Sequence, residues 1–133
     1  MADTDLLRDA MPFTRALDAH TVTSTPAEVR ARLDWRQELC TSGGVLHGGA
    51  LMALADSTGG ACAFLNLPDG AIATTTIESK TNFLRAVRSG WVEAVSKPLH
   101  AGRRVVVIET DVVDAEGRLV ARTTQSQAVL FPE

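Results

Sequence analysis

Residues 48–65 read GGALMALADSTGGACAFL. Alanine, leucine and methionine dominate the stretch and it is apolar on nearly every side, so helix is favoured over strand and the helix is expected to be buried. Asn66, Pro68, Asp69 and Gly70 stop it. Beyond that stop, Ala71–Phe83 (AIATTTIESKTNF) is rich in Thr and Ile and suits an extended strand. Gly90–Leu99, Arg103–Val113 and Arg118–Phe131 read as three further strands, the last two joined by the hairpin connection Asp114-Ala115-Glu116-Gly117.

Upstream of the helix, residues Gln37 to Gly44 are mostly polar and end in Gly-Gly, the mark of a loop with unusual backbone dihedrals. Val22 to Trp35 alternates late, with Val29 and Leu33 apolar between Arg30, Arg32 and Asp34 and a turn or bulge at Pro26, which predicts a strand or a bent pair. Met11 to Ala19 carries Met11, Phe13, Ala16 and Leu17 at roughly helical spacing and predicts a short peripheral helix. The order is a strand or two, one long helix, then four strands. It lacks the alternation of a parallel doubly wound sheet, so an α+β fold is expected: an antiparallel sheet wrapped around one helix. Residues 105–108 (VVVI) place apolar groups on both faces of their strand, and a single helix covers only one face, so a homo-oligomer is expected.

The 133 residues suffice for one domain. A net charge of −3 provides no overall basic field for a nucleic-acid backbone, and no run of about 18 apolar residues suggests a membrane span. The acidic N-terminus, MADTDLLRDAMPF, lacks the charged and apolar regions of a signal peptide, so a cytoplasmic location is expected. Cys40 and Cys62 stand apart without a CxxC, and His20, His47 and His100 lack metal-ligand spacing; free thiols and no metal site are expected. Aromatics at 5%, with no Tyr, argue against a base-stacking platform built on rings.

Asp56 is the residue that points to chemistry. It falls in the middle of the apolar helix, where an ionised carboxylate without a partner costs several kcal/mol. Either the acid is used, or a neighbouring strand or subunit satisfies it. Leu46-His47-Gly48-Gly49 enters the same helix, whose first turn offers unpaired N–H groups and the positive end of the dipole. The Gly48 N–H could polarise a carbonyl that becomes tetrahedral during acyl transfer, while His47 either orients a ligand or caps the loop. Eight residues of helix separate Gly48 from Asp56, about 12 Å at about 1.5 Å per residue. A reacting carbon must lie about 3 Å from both groups. One helix cannot supply both, so joint action demands Gly48 of one subunit and Asp56 of another, the two helices antiparallel across a two-fold axis.

The motifs Leu46-His47-Gly48-Gly49-Ala50, Leu54-Ala55-Asp56, Lys80-Thr81-Asn82-Phe83-Leu84-Arg85 and Leu99-His100-Ala101-Gly102-Arg103 together resemble the hotdog-fold acyl-CoA thioesterases of the phenylacetate-pathway and 4-hydroxybenzoyl-CoA types. The resemblance spans roughly Phe13 to Leu130. It implies residues 21–133 as a hotdog thioesterase domain behind an N-terminal extension, 1–20, and hydrolysis of an acyl-CoA thioester. Asp56 matches the helix carboxylate that serves as general base or nucleophile, Gly48 the oxyanion donor, and His47 the histidine beside it. Thr76, or Thr75 with a shifted register, matches the strand hydroxyl that positions water. Thr41 stands six positions before the histidine, where many relatives carry Asn or Gln near the thioester carbonyl. Gly49 lies where the backbone meets substrate.

A basic rim is required for the coenzyme A phosphates. Arg85 and Arg88 flank one turn, and Lys97, Arg103 and Arg104 surround another, with Arg88 and Arg103 preferred by family position. No cofactor is implied beyond the coenzyme A that belongs to the substrate. A dimer is required for the site, and a tetramer is expected. Two other functions share the fold: a non-catalytic acyl-CoA-binding sensor, which needs the pocket without the acid, and a dehydratase or hydratase, which expects a differently placed histidine.

Overall fold

The computed structural model describes residues 5–133. Two short helices, α1 (Leu6–Ala10) and α2 (Pro12–Leu17), precede strands β1 (His20–Ser24) and β2 (Val29–Asp34). The long helix α3 (Gly48–Phe64) follows, and then β3 (Ala73–Phe83), β4 (Trp91–Ala101), β5 (Val105–Asp114) and β6 (Leu119–Leu130). All six strands pair antiparallel in one sheet of order β1-β2-β4-β5-β6-β3. Helix α3 lies across one face of it, against β2, β3, β4, β5 and β6. This is the antiparallel sheet around one helix expected from the sequence.

Alternation decides which side chains meet the helix. Val106, Ile108, Val112, Val120 and Val92 are fully buried beneath α3, which contributes Leu51, Leu54, Ala55 and Cys62 to the same core. The inward face is not uniformly apolar. Ser96, Thr110, Thr123, Gln125 and Gln127 are also buried, and Ser96 and Thr110 join hydroxyl to hydroxyl at 2.6 Å. Such groups are tolerable inside only with partners.

The outward face at β2 and β4 is closed by an ionic cluster from the chain itself. Glu93 is 6% exposed, and its two oxygens accept from Arg30 Nη1 (3.0 Å) and Arg32 Nη2 (3.1 Å). Arg32 also stacks over Trp91, 3.8 Å from the ring centroid. That part of the sheet therefore needs no second copy to cover it.

The peripheral helix expected over Met11–Ala19 is instead two helices hinged at Met11. Residues before proline disfavour the helical region, so Met11 is extended (φ −127°, ψ 99°) and Pro12 opens the second helix. Phe13, expected on the buried side, is 60% exposed, while Thr14 and Leu17 point inward. The pair is fastened by Asp5, whose carboxylate accepts from the Thr21 hydroxyl (2.6 Å) and amide, and by Arg36, which donates to Leu17 O at 2.8 Å. Partial burial would raise the Asp5 pKa, but these bonds outweigh it and hold the carboxyl below its ordinary value.

Gln37–Gly44 forms two 3-10 turns, and Gly43 and Gly44 have φ of +81° and +74°, as the Gly-Gly pair predicted. The Asp114–Gly117 hairpin closes with Gly117 N–H on Asp114 O at 2.9 Å. Among the described residues, strand β3 pairs only with β6 and leaves its other edge open along eleven residues. Leu54 lies at the centre of the α3 contact and is fully buried. Leu54→Ala is expected to lower the unfolding free energy by about 3 kcal/mol, read from urea melts, because the sheet below cannot collapse into the void.

Candidate functional site

The residues singled out in the sequence fall at three places. The first is the start of α3. His47 is its N-cap, and the ring Nδ1 accepts from the Gly49 N–H at 2.7 Å, so His47 caps the turn. An accepting Nδ1 in a neutral ring places the proton on Nε2, which leaves one donor on this exposed side chain. Capping occupies the Gly49 amide. The Gly48 N–H, at the first helical position, has no acceptor among the described residues. A Cβ on Gly48 would lie 3.1 Å from Phe83 Cζ, so the end of β3 packs over this turn. Thr41 is exposed in the loop before the helix, its amide bonded to Val45 O at 2.8 Å.

The second place is a cleft of about 450 Å³ between α3, β3, β6 and the α1–α2 hinge. Asp56, Thr75 and Thr76 line it, with Met11, Phe64 and Gln127 among its walls. Here the expectation drawn from the sequence needs correction. The apolar composition of the helix predicts an enclosed acid, but the Asp56 side chain is exposed in the single chain. The helix is apolar on most faces, yet Gly49, Met52, Asp56 and Phe64, with Gly60 partly covered, form one uncovered stripe at three- and four-residue spacing. The acid sits on that stripe. It accepts one hydrogen bond from its own chain, from Gln125 Nε2 at 3.3 Å. Thr76 accepts from Gln127 Nε2 at 2.7 Å, which leaves its hydroxyl proton for a group in the cleft. The register of β3 shifts between Thr76 and Glu78, just beyond the cleft.

The third set comprises the basic residues, and in one chain they are divided between the two ends of α3. At its N-terminal end, Arg88 Nη1 donates to Gly43 O at 3.0 Å and so clamps the glycine loop, while Arg85 is exposed. At its far end, Arg103 and Arg104 line a second cavity with Val129 and Phe131, Arg103 stacking over Phe131 with 4.6 Å to the centroid. Arg103 Nη1 also approaches Asp69 O at 3.4 Å. Lys97 is drawn off to Glu28 at 3.6 Å.

Gln125, Gln127, Gly59 and Met11 complete the surroundings of Asp56 and the cleft, places for which the motifs gave no expectation. Thr123, Gln125 and Gln127 recur at every second position of β6 between buried Ala121 and Val129, so the polar inward face was available as a signal. The thiols of Cys40 and Cys62 are both free, and burial pushes the Cys62 thiol up to about 11, which removes it as a neutral-pH nucleophile. No helix among the described residues is long and apolar enough to cross a membrane.

Comparison with known proteins bears on this arrangement. The model of the Thioesterase superfamily matches residues 43–121, which include the α3 entrance, Asp56 and both threonines. A protein of Saccharolobus solfataricus, provisionally named an esterase, is 32% identical over 126 residues, covering 95% of this chain and 89% of that one. The 1,4-dihydroxy-2-naphthoyl-CoA hydrolase of Escherichia coli is 37% identical over 87 residues, 65% of this chain and 63% of its own. Among solved structures, a variant of the phenylacetic acid degradation protein of Thermus thermophilus superposes with a TM-score of 0.82 at 28% identity, covering 90% of this chain and 99% of that one. The chain belongs to the Thioesterase superfamily and is a thioester hydrolase built on the hotdog fold.

Proposed function

We propose that the chain hydrolyses acyl-CoA thioesters at a site composed from two protomers, with Asp56 of one facing the Gly48 N–H of the other. The observation that carries this reading is the unbroken helix from Gly48 to Phe64: it holds an unpaired amide and an exposed carboxylate eight residues apart, about 12 Å along one axis. Two antiparallel copies of that helix remove the gap. Met52 is midway between Gly48 and Asp56, so a two-fold axis through Met52 brings position 48 of each helix level with position 56 of the other. Met52 is 41% exposed, on the uncovered stripe, and Gly49 and Gly60 on the same stripe allow close approach. The open edge of β3 runs beside it, with Ile77 62% and Phe83 51% exposed, surfaces that a single soluble chain gains nothing by leaving bare.

In this arrangement the thioester carbonyl oxygen accepts the Gly48 N–H at the positive end of α3, which stabilises the oxyanion of the tetrahedral intermediate. Asp56 takes a proton from water held near Thr76 as the water oxygen bonds to the carbonyl carbon. The carbon–sulfur bond then breaks, and the proton returns to the departing thiolate of coenzyme A. Direct attack by Asp56 through an anhydride uses the same atoms, and single turnover in oxygen-18 water separates the routes, because label enters the Asp56 carboxylate only when water opens an anhydride at the aspartyl carbonyl, whereas water that attacks the thioester carbon puts its label in the product acid. Antiparallel pairing also sets the Arg85 and Arg88 end of one protomer beside the Arg103 and Arg104 end of its partner, a composite basic rim suited to the phosphates. The cleft receives the acyl group, with His47 Nε2 and the Thr41 hydroxyl as further donors at the thioester.

Asp56→Asn is expected to lower kcat by about 10³-fold, measured by thiol release with DTNB over a panel of acyl-CoA substrates, with little change in melting temperature. Near-normal turnover would remove Asp56 from the mechanism. Met52→Lys sets two like charges on the proposed axis; sedimentation should show dissociation together with lost activity, and an active monomer would contradict the shared site. Gly48→Pro deletes the N–H at a position where proline suits a helix start, and half-exposed Phe83 can move aside. Co-expressed with Asp56→Asn it should recover about a quarter of wild-type activity, since half the dimers hold one intact site in two.

A further inference from the structure

Beneath Asp56 the structure holds a feature that the thioesterase chemistry above does not require by itself. Gln125 on β6 is 1% exposed, reaches up between the sheet and α3, and places Nε2 3.3 Å from Asp56 Oδ1. It passes the helix at Gly59. A Cβ there would collide with Gln125 Oε1 and come within 2.7 Å of Cδ, so only glycine leaves room for the amide. Oε1 is buried and has no partner among the described residues. An orphaned buried acceptor is unfavourable, and a methionine of similar length would fill the same space without it. The orientation follows from the carboxylate: with Oε1 turned toward Asp56 two acceptors would face each other, so the donor end is presented and the acceptor end is left alone.

We propose that Gln125 is a positioning residue for Asp56, with Gly59 as the opening through which it acts. Its amide fixes one carboxylate oxygen and leaves the other free toward the cleft, where it can take a proton from water. Gln127, two residues along the same strand, does the corresponding work for Thr76, so one strand sets both reactive side chains at a spacing fixed by the pleat. Asp56 is the one ionisable side chain lining the cleft among the described residues, the walls from the α1–α2 hinge, α3, β3 and β6 being apolar or neutral.

This inference rests on Asp56 as the reacting acid, and the test separates the two. Gln125→Met removes the donor at nearly constant volume. In the enzyme it should lower kcat about 10-fold while leaving KM for the acyl-CoA within about two-fold, since the lost bond orients the acid and not the substrate. The melting temperature should hold or rise, because the orphaned acceptor goes with the donor. Gln125→Glu, isosteric with the native residue, should lower kcat at least as far with KM again held, because a carboxylate beside Asp56 offers no amide N–H, and it carries the test if the methionine variant does not fold. A folded variant with kcat within about two-fold of wild type, or with its loss appearing in KM and not in kcat, overturns the positioning role. Asp56→Asn with normal turnover overturns the reading of the acid itself, whereas an inactive Asp56→Asn beside unaltered Gln125 variants overturns only the role of Gln125.

Discussion

An α-helix advances about 1.5 Å for every residue, and α3 has no kink to evade that rise. The constraint governs how this chain can use its chemistry. A free amide belongs at the first helical position, where backbone donors lack partners, and an acid that faces a cleft must sit where the helix surface meets solvent. Between Gly48 and Asp56 those requirements fall two turns apart. The chain leaves a lengthwise stripe of α3 bare, and a long strand edge bare beside it, so that what one copy separates a second copy can bring together. Under the two-protomer proposal the exposure of Asp56 has a physical sense: burial of the acid would be deferred from folding to assembly, when a substrate-sized space and a facing amide come together.

The sheet beneath the helix has a divided task. Its valines and Ile108 supply the apolar area that holds α3 down, while Ser96, Thr110, Thr123, Gln125 and Gln127 form a polar track through the same layer. Such a track lowers stability relative to aliphatic packing unless each member is bonded. The hydroxyls bond in pairs, Ser96 with Thr110 and Thr81 with Thr123, and the two glutamines extend the track to the cleft. The incomplete member, Gln125, lies next to the acid. Support for the site therefore comes from strand positions held by a continuous ladder.

Most of the architecture could be read from hydrophobic periodicity and breakers. The helix expected over Gly48–Leu65 spans Gly48–Phe64, and the strands lie within a few residues of their expected limits, because Gly-Gly, Asn-Leu-Pro-Asp-Gly and Asp-Ala-Glu-Gly punctuate the chain. The break at Met11 was missed because helical spacing outweighed the effect of Pro12 on its predecessor. The exposure of Asp56 was missed because small residues around it conceal which helix face is covered; Ala and Gly serve either side equally well. The Gln125 contact joins residues 69 apart in sequence through space vacated by a third, Gly59, and no local pattern records such a coincidence. The motifs at Leu46–Ala50 and Leu54–Asp56 carried the family because they concentrate the chemistry in one short element.

The hinge between the two N-terminal helices has a wider meaning. Ala10 and Met11 form one wall of the cleft, yet they lie outside residues 43–121, the part that the superfamily shares. A wall built from the α1–α2 hinge, fastened at Asp5 and Arg36, stands apart from the element that carries the acid. Changes in the bulk of that wall would reshape the cleft beside Asp56 without replacing the acid itself.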